Sequence, residues 1–277
     1  MSDPKKGKWV RVSRDGSLMK KFHIWLNNEL KLSDSFLPDT INGGISDRSI
    51  LNAINIHVRK QPFSFIKADI KRFFESIPQD RIVTLFCGLF NCDKLVSQIL
   101  ASTMTFPGGP LSKPEGVLAL ARGLHVSSRV AIWASIDFFR ILDLKISEKF
   151  NHLKPRISFY VDDVGISLLT TNKNEVNDFI AYLNGFIRLE CPQLDFLALN
   201  PEKTKPYIVS NPEEYVEYLG SRIFMYRKDI SQKSIDKGRY LYRESQKEAD
   251  PVKKFDTLKQ ISSISSYRKW IRSSCKK

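Results

Sequence analysis

Apolar and polar residues follow two patterns along the chain, one typical of strands and one typical of helices. Short runs rich in β-branched and aromatic residues and bounded by turn residues predict strands. These runs are Phe63–Asp69, Arg156–Val161, Val164–Leu169, Tyr207–Ser210 and Arg222–Tyr226. Apolar residues at helical spacing predict helices. These segments are Pro78–Phe90, Asp93–Met104, Ser128–Phe150 and Asn174–Glu190.

The order of these elements predicts an α+β fold with helices over a mostly antiparallel sheet. The segment Ser128–Phe150 is apolar around most of its circumference and predicts one long buried helix. The Pro- and Gly-rich stretch Thr105–Gly116 predicts a loop between helices. A chain of 277 residues can bury a sizeable core as one multi-lobed domain or as two domains.

A pair of adjacent carboxylates lies between two of the predicted strands. The segment Ile157–Leu169 reads ISFYVDDVGISLL, and a tight hairpin would hold Asp162 and Asp163 at its turn. Adjacent carboxylates on a rigid turn repel each other unless a divalent cation lies beside them. The pair therefore suggests a metal site. An ordinary acidic turn is the alternative, because Asp is common in turns.

A third carboxylate, Asp69, ends the predicted strand Phe63–Asp69. A two-metal site for phosphoryl transfer needs about three carboxylates around ions roughly 3.5 to 4 Å apart, contributed by neighbouring strands. Asp69 together with Asp162 and Asp163 meets that need. The sequence thus predicts one metal site built from two strand ends.

These segments resemble two motifs of the reverse transcriptases. D-I-K-x-F-F-x-S-I, Asp69 to Ile77, is similar to motif A, and Y-V-D-D, Tyr160 to Asp163, is similar to motif C. The segment Gly43–His57 resembles the one that precedes motif A in bacterial reverse transcriptases of the retron and abortive-infection type. The resemblance implies a right-hand polymerase fold with fingers, palm and a short helical thumb.

Further matches lie in the family's order along the chain. Leu197–Lys205 resembles motif D, and Glu217–Ile223 resembles the turn of motif E, with Tyr218 in place of its aromatic residue. Lys5–Val12 and Leu18–Leu26 resemble a short fingers segment.

Motif B departs from the family pattern. The segment Gly123–Ser135 keeps Gly-Leu but lacks the proline and the second glycine. A residue with a Cβ in place of that glycine should crowd the approach of the backbone to the template base pair. The handling of the template is therefore the part of the resemblance that this departure puts in doubt.

The resemblance implies roles around the metal ions. Asp69, Asp162 and Asp163 would hold two Mg²⁺ ions, with Mn²⁺ as an alternative, and Ile70 is assigned to the metal and substrate sites. One ion, held by Asp69 and Asp162, would activate a primer 3′-hydroxyl, and the second would bind the triphosphate. Asp163 would support the site. Lys203, the lysine of motif D, would protonate the leaving pyrophosphate.

The resemblance also implies contacts to the incoming nucleotide. Arg11, with Lys8 as a weaker candidate, would clamp the triphosphate by charge-assisted hydrogen bonds. Phe74 lies five residues after Asp69, where the family has an aromatic ring that blocks a ribose 2′-hydroxyl, so it would select deoxynucleotides. A role in the core is the alternative for Phe74. Gly123 is assigned to the same substrate site.

Several other residues have both a functional and a structural interpretation. His57 and Asn52 would shape the template strand, or His57 would be a satisfied structural histidine. Tyr240, Tyr242 and Tyr267 would stack on single-stranded bases or close the core of the thumb. The core is the interpretation that we favour for the three tyrosines.

Charge is unevenly distributed along the chain. The formal net charge is +14, and residues 227–277 alone carry 15 Lys and Arg against 6 Asp and Glu. Residues 73–226 carry 15 against 17, and residues 1–72 carry 14 against 7. Two basic ends around a neutral middle suit a nucleic-acid polymerase. We expect fingers over 1–62, a palm over 63–226 with helical insertions at 78–150, and a basic thumb over 227–277.

The sequence also bounds location and partners. No apolar run reaches the roughly 18 residues of a membrane span, and the N-terminus lacks a signal-peptide core, so we expect a cytoplasmic protein without a membrane partner. The cysteines lack C-x-x-C spacing, so no zinc site is expected.

Three functions remain open at this point. The first is an RNA-directed DNA polymerase that copies a dedicated noncoding RNA in bacterial antiphage defence, with dNTPs as substrates and a DNA primer or product. The second is a template-independent or protein-primed DNA polymerase. The third is a non-enzymatic RNA-binding scaffold. A homo-oligomer and an associated effector protein are compatible with each of them.

Overall fold

The computed structural model of the chain describes residues 2–3, 8–108, 115–248 and 250–273. The side chains of residues 2, 3, 8, 9 and 115 lie outside this description, and so does the predicted substrate contact of Lys8. Residues 109–114, in the middle of the Pro- and Gly-rich stretch, lie outside it as well.

Helices make up a little under half of the described chain. They are α1 Leu18–Lys31, α2 Ile50–Asn55, α3 Gln79–Gly88, α4 Lys94–Met104, α5 Ser127–Ala134, α6 Ile136–Lys149, α7 Lys173–Glu190, α8 Gln232–Lys247 and α9 Pro251–Ser273. Short 3-10 turns lie at Asp34–Phe36, Asn151–Leu153 and Pro192–Leu194. Side chains cap several helix starts. Ser17 accepts from the N–H of Lys20 at the start of α1, and Asp93 accepts from the N–H of Leu95 at the start of α4.

The described strands form four antiparallel groups. The strands are β1 Ser2–Asp3, β2 Lys8–Trp9, β3 Phe63–Asp69, β4 Thr105–Gly108, β5 Glu115–Leu120, β6 Arg156–Tyr160, β7 Asp163–Leu168, β8 Lys205–Val209, β9 Tyr215–Tyr218, β10 Ser221–Phe224 and β11 Lys228–Ile230. The central sheet has the order β6-β7-β3-β8, and a second sheet has the order β11-β10-β9. The pairs β1-β2 and β4-β5 are two-stranded ribbons.

The central sheet is covered on both faces. Side chains of a strand alternate between the two faces, so Ile66 and Ala68 of β3 point one way and Phe63 and Phe65 the other. Ile66 and Ala68 join a large core with the helices α3, α5, α6 and α7. Phe63 and Phe65 join a second cluster with α2, the second sheet and Ile271 of α9. The sheet is therefore the shared wall of two hydrophobic clusters.

Most of the predicted elements are present. The strand Phe63–Asp69 is confirmed with the same bounds, and the other predicted strands are found with shifts of one or two residues at their ends. The long helix predicted over Ser128–Phe150 is wrong. It breaks at Ser135, which has φ −109° and ψ 11° and donates its N–H to both Ala131 O and Ile132 O. Serine is a poor residue for a helix interior, and the apolar pattern does not register the break.

The loop predicted over Thr105–Gly116 is wrong at both of its ends. These ends are the strands β4 and β5, which pair antiparallel with a register shift between Phe106 and Gly108. Pro107 lies at this irregularity, where a missing N–H costs no ladder hydrogen bond. Proline and glycine are thus compatible with a two-stranded ribbon here.

The C-terminal helices attach to the second sheet through one buried carboxylate. Asp229 of β11 is 5% exposed and accepts hydrogen bonds from Arg268 Nε at 3.0 Å and Arg272 at 2.5 Å. Arg222 of β10 lies 3.5 Å away. Burial alone would raise the pKa of the Asp229 carboxyl, but the hydrogen bonds from Arg268 and Arg272 lower it to about 2. These contacts, which we call the Asp229 clasp, hold α9 on the sheet.

A second buried ion pair joins the N-terminal part to the helices. Arg129 of α5 donates to Asp34 at 2.9 Å, and both side chains are less than a tenth exposed. Arg129 also donates to Asn27 O, in the second half of α1, and to Ser46 Oγ. The boundaries expected at residues 62 and 226 remain a prediction. Within the described residues, no helix is long and apolar enough to cross a membrane.

Candidate active site

The three predicted carboxylates lie at adjoining strand ends. Asp69, the last residue of β3, is the register partner of Asp163, the first residue of β7. The N–H of Ile70 donates to Asp162 O at 2.9 Å, which extends the ladder into the hairpin turn. The backbone pairing therefore brings together the residues that the two separate motifs supplied.

The turn itself differs by one residue from the predicted one. Tyr160 pairs with Asp163, so Val161 and Asp162 form the two-residue turn and Asp163 begins the strand. Val161 has φ +60°, a conformation that costs a β-branched residue about 1–3 kcal/mol. Such a turn persists only where its surroundings hold it in place.

Gly43 provides that support and was missed by the analysis of function. A Cβ added to Gly43 would lie 2.7 Å from Val161 N and 2.8 Å from Tyr160 C. Asn42 N–H donates to Phe159 O at 2.8 Å beside this contact. A side chain at position 43 would therefore push the turn away from its place. The Gly-Gly pair at 43–44 was the available signal, and the sequence did not tell which segment it contacts.

The carboxylates influence one another electrostatically. Burial raises the pKa of the Asp163 carboxyl, and the negative charge of Asp162 raises it further. Asp69 acts in the same direction, while Lys67 and Lys203 oppose the shift. The net effect disfavours the ionised form of Asp163 beside the other two carboxylates. A cation bound here would reduce the repulsion among them.

Lys203 supplies one positive charge to the site. Its Nζ lies 2.9 Å from Asp69 Oδ2, and its side chain is 53% exposed. The loop that carries it is fixed to β3, because Asn200 N–H donates to Asp69 O at 2.8 Å and Lys71 N–H donates to Ala198 O at 2.7 Å. The ammonium of Lys203 thus occupies a position on Asp69 where a metal ion would compete with it.

The donor set suits a hard divalent cation, since carboxylate oxygens are the ligands that Mg²⁺ prefers. Asp69 and Asp163 are register partners, and the negative charges of Asp162 and Asp69 both raise the pKa of Asp163. Among the described residues, no group of three or more His, Cys, Asp or Glu side chains converges closely enough to form a ready ligand set. The carboxylates would therefore have to turn toward an ion, and Lys203 would have to release Asp69.

Ile70 lies in the frame of the site. Its side chain is 1% exposed in the large core, and its N–H is engaged by Asp162 O. The side chain of Ile70 is therefore buried in the core, and its assignment to the metal and substrate sites stays a prediction. We expect any contribution to those sites to come from its backbone.

The predicted substrate residues Arg11, Phe74 and Gly123 are connected to one another through Arg122. Arg11 N–H donates to Arg122 O at 2.8 Å, and Gly123 has φ +98°. A Cβ at Gly123 would lie 2.4 Å from Val10 Cγ1, so the glycine allows the N-terminal segment to approach. Arg11 also donates to Pro107 O at 3.5 Å.

Phe74 is mostly buried and has an arginine over its ring. It is 6% exposed and packs on Phe73 with ring centroids 5.6 Å apart. The guanidinium carbon of Arg122 lies 4.9 Å from the ring centroid. Phe74 thus belongs to the edge of the core, and its selection of the sugar stays a prediction.

The sheet face that carries Asp69 and Asp163 also covers a buried polar network. His57 is fully buried and its ring nitrogens lie 3.0 Å from Ser167 Oγ and 2.8 Å from Ser158 Oγ. Tyr218 Oη lies 3.2 Å from Ser158 Oγ. Burial lowers the pKa of His57 well below its ordinary value, with Arg59 and Arg156 adding to the effect. His57 is therefore the structural histidine of the two interpretations.

The remaining predicted contacts have structural explanations or lie in solvent. Asn52 accepts from the N–H of Ser49 at 2.9 Å and caps α2. Tyr240 and Tyr242 are 61% and 57% exposed, so their predicted place in the thumb core is wrong. They lie on α8, where Ser245 is the one buried residue described and Ile235 is the residue that packs against the second cluster. Tyr267 is half-buried against the second cluster.

Similarity to solved structures extends over most of the chain. A telomerase from Candida albicans, solved in complex with a TWJ fragment of telomeric RNA, is 12% identical with a TM-score of 0.50 and covers 89% of this chain. Apo telomerase from Candida tropicalis is 12% identical with a TM-score of 0.51 and covers 87%. This chain spans 46% and 43% of those two chains.

At this identity the similarity shows the fold alone. The chain has a mixed fold of helices and antiparallel sheets that resembles the fold of these two telomerases. No protein-family model matches the sequence, and a search of curated proteins finds no match.

Proposed function

We propose that this protein is an RNA-directed DNA polymerase. The observation that carries the proposal is the in-register pairing of Asp69 with Asp163, beside Asp162, at the strand ends of a reverse-transcriptase-like fold. Asp162 and Asp163 at the hairpin repel each other and Asp69 on the neighbouring strand, which costs stability that an apolar turn would not cost. Their presence therefore favours a catalytic role.

Metal ions are part of the proposal. When bound, a pair of Mg²⁺ ions, or Mn²⁺ in their place, would lower the pKa of a primer 3′-hydroxyl and stabilise the leaving pyrophosphate. Asp69 and Asp162 would hold them, with Asp163 in support, and the backbone of Ile70 would border the site. Lys203 would leave Asp69 and donate a proton to the leaving group.

The nucleotide would enter between the carboxylates and the N-terminal segment. Arg11 would bind the triphosphate, and Lys8 on the same segment is the weaker candidate. Phe74 would exclude a 2′-hydroxyl, so the substrates would be deoxynucleotides. Gly123 would let the backbone of the N-terminal segment lie close to the substrate.

RNA is the proposed template. The Candida albicans telomerase of similar fold was solved with a TWJ fragment of telomeric RNA, and the basic residues 227–277 of this chain suit phosphate contacts. The motif pattern favours the bacterial retron or defence type, in which the template is a dedicated noncoding RNA and the product is DNA. An associated effector protein and a homo-oligomer are compatible with this proposal.

Primer extension on an RNA template with Mg²⁺ and dNTPs tests the proposal. We expect synthesis by the wild-type chain and none by Asp162→Asn. Asp178→Asn is the matched control, because Asp178 is an exposed carboxylate on α7, a helix that contributes no residue to the proposed site. Equal synthesis by Asp162→Asn and Asp178→Asn would exclude the polymerase assignment and leave the RNA-binding scaffold.

A second polymerase function is kept open by motif B. The segment after Gly123 lacks the proline and the second glycine that place the template in the family pattern, and it enters α5 directly. A template-independent or protein-primed enzyme would need neither residue. The same assay without RNA separates the two functions, since template-free homopolymer would support the second.

A further inference from the structure

Arg122 lies between two parts of the proposed nucleotide site and makes contacts that the proposed function leaves unexplained. It directly precedes Gly123, and its guanidinium carbon lies 4.9 Å from the centroid of the Phe74 ring. The same guanidinium pairs with Glu75, the residue after Phe74, with Nε 3.3 Å from Oε1. One side chain therefore both covers the ring and is held by the ring's neighbour.

The backbone of Arg122 is fixed as well. Its carbonyl accepts from the N–H of Arg11, and Val10 forms an isolated parallel bridge with it. The next residue, Gly123, lies so close to Val10 that a side chain would collide. The N-terminal segment thus holds Arg122 from one side while Glu75 orients it from the other.

Phe74 depends on such support. Its ring packs on Phe73, whose ring in turn lies 6.2 Å from that of Phe139. That contact fixes one side of Phe74, and the guanidinium of Arg122 covers another part of the ring. A planar guanidinium stacks on an aromatic face better than an ammonium does. Without Arg122 the ring would gain freedom to turn away from the incoming sugar.

We propose that Arg122 is a positioning residue that holds the Phe74 ring where it excludes a ribose 2′-hydroxyl, so that Arg122 shares in the choice of deoxynucleotides. This inference rests on the proposed function. A different role for the same guanidinium, direct binding of the triphosphate, is an outcome that the test separates.

The test measures sugar selection by the purified full chain. Competition between dNTP and the matching NTP gives the ratio of the two incorporation efficiencies. We expect Phe74→Ala to lower the preference for dNTP most and Arg122→Ala to lower it about three- to tenfold, with the double variant no worse than Phe74→Ala alone. An additive double variant, or a ratio unchanged in Arg122→Ala, would overturn the inference.

Conservative variants distinguish stacking from charge. Arg122→Lys keeps the charge and loses the planar stack, so positioning predicts little rescue of the ratio. If Arg122 instead binds the triphosphate, Arg122→Ala should raise KM equally for dNTP and NTP, and Arg122→Lys should restore it. That result would contradict the inference. Glu75→Gln removes the ion pair and keeps the ring contact, so it should change the ratio less than Arg122→Ala.

Arg81 is the matched control. Its guanidinium carbon lies 5.8 Å from the ring centroid of Phe196, and the same guanidinium pairs with Asp137 at 2.7 Å. Arg81 thus combines a ring contact and an ion pair, as Arg122 does, but without touching Phe74. Arg81→Lys should leave the sugar ratio unchanged. A shift of the ratio in Arg81→Lys equal to that in Arg122→Lys would mean a general loss of packing and would overturn the inference.

Nucleotide-dependent thermal stability gives a readout apart from catalysis. In the wild-type chain without primer or template we expect dATP to raise the melting temperature more than ATP, and Arg122→Ala should bring the two shifts together. Failure of the wild type to incorporate either sugar would overturn the proposed function. Equal shifts with dATP and ATP before Arg122 is changed would overturn the inference by itself.

Discussion

Two groups of acidic residues in this protein have opposite surroundings. Asp229 is one buried carboxylate that accepts hydrogen bonds from Arg268 and Arg272. Asp69, Asp162 and Asp163 are three carboxylates at one hairpin, with the ammonium of Lys203 on one of them. The first group has an excess of donors and the second has an excess of negative charge.

The pKa values follow this difference. Hydrogen bonds from two arginines outweigh burial and lower the pKa of Asp229 to about 2. At the hairpin, burial and the neighbouring carboxylates both raise the pKa of Asp163. An acidic group that stabilises a fold is paired, whereas one that stays unpaired at a structural cost points to a ligand. The contrast therefore separates the attachment of α9 from the proposed chemistry.

The largest effect should come from the hairpin. Asp163→Asn is expected to reduce Mg²⁺-dependent synthesis by more than about a hundredfold, since even second-shell changes at metal sites cost up to about that much. The melting temperature of the same variant without metal should rise, because a repelling charge is removed. Assays of both properties on one preparation check the opposite signs. A variant that loses activity and also melts earlier would mean that Asp163 serves the fold.

The next effect concerns the Asp229 clasp. Asp229→Asn should destabilise the attachment of α9 by about 1–3 kcal/mol, less than for a fully buried pair because Arg268 and Arg272 remain partly in water. Faster hydrogen exchange in α9 and weaker binding of nucleic acid are the expected observations. Asp236→Asn on α8 is the control, since its pair with Arg239 is exposed. Equal exchange rates in the two variants would refute the clasp.

Local sequence patterns predict the strands and helices that carry the proposed site. The apolar run before Asp69 and the hairpin around Asp162 made both strand ends predictable, and antiparallel pairing then brought Asp69 to Asp163. Periodicity also located α3, α4 and α7. These features depend on residues close together in the chain.

Contacts between distant segments were beyond such reasoning. Nothing near Asp229 in the sequence identifies Arg268 and Arg272, which lie about 40 residues later. Gly43 supports Val161, which lies about 120 residues later in the chain. The exposure of Tyr240 depends on which residues pack against α8. The sequence pattern of α8 does not identify those residues. The positions in the site were thus predictable, and the residues that hold them there were not.

A pH series should show opposite slopes at the two acidic groups. The folded pKa of Asp163 is raised above its usual 3.8, so the stability linked to its protonated form is present below 3.8 and lost as the pH rises. The folded pKa of Asp229 is lowered to about 2, so its contribution is present above 3.8 and lost as the pH falls toward 2. The melting temperature of Asp163→Asn relative to wild type should therefore rise from pH 3.5 to pH 7.

The matching series for Asp229→Asn should run the other way. Its deficit in melting temperature should be full at pH 7 and should shrink on acidification below 3.8, because the wild type then loses the same contribution. EDTA in all samples keeps metal ions from masking the effect. Parallel slopes for the two variants would mean that the acidic groups do not differ in the way proposed.

The smallest expected effect concerns Lys203. Its ammonium competes with a metal ion for Asp69, so Lys203→Met should tighten the binding of Mn²⁺. The pair is half exposed and worth about 0.2–1 kcal/mol, which corresponds to an increase in affinity of roughly 1.4- to fivefold. Isothermal titration of the chain with Mn²⁺, without nucleotide, measures this change in affinity.

Lys173→Met on α7 removes the same charge away from the site and controls for the net charge. Because proton donation to pyrophosphate plays no part without nucleotide, a gain confined to Lys203→Met would mark Lys203 as the resident counter-ion of Asp69. Equal affinities in both variants would show that Lys203 does not compete for Asp69, and the contrast with the Asp229 clasp would then rest on the carboxylates alone.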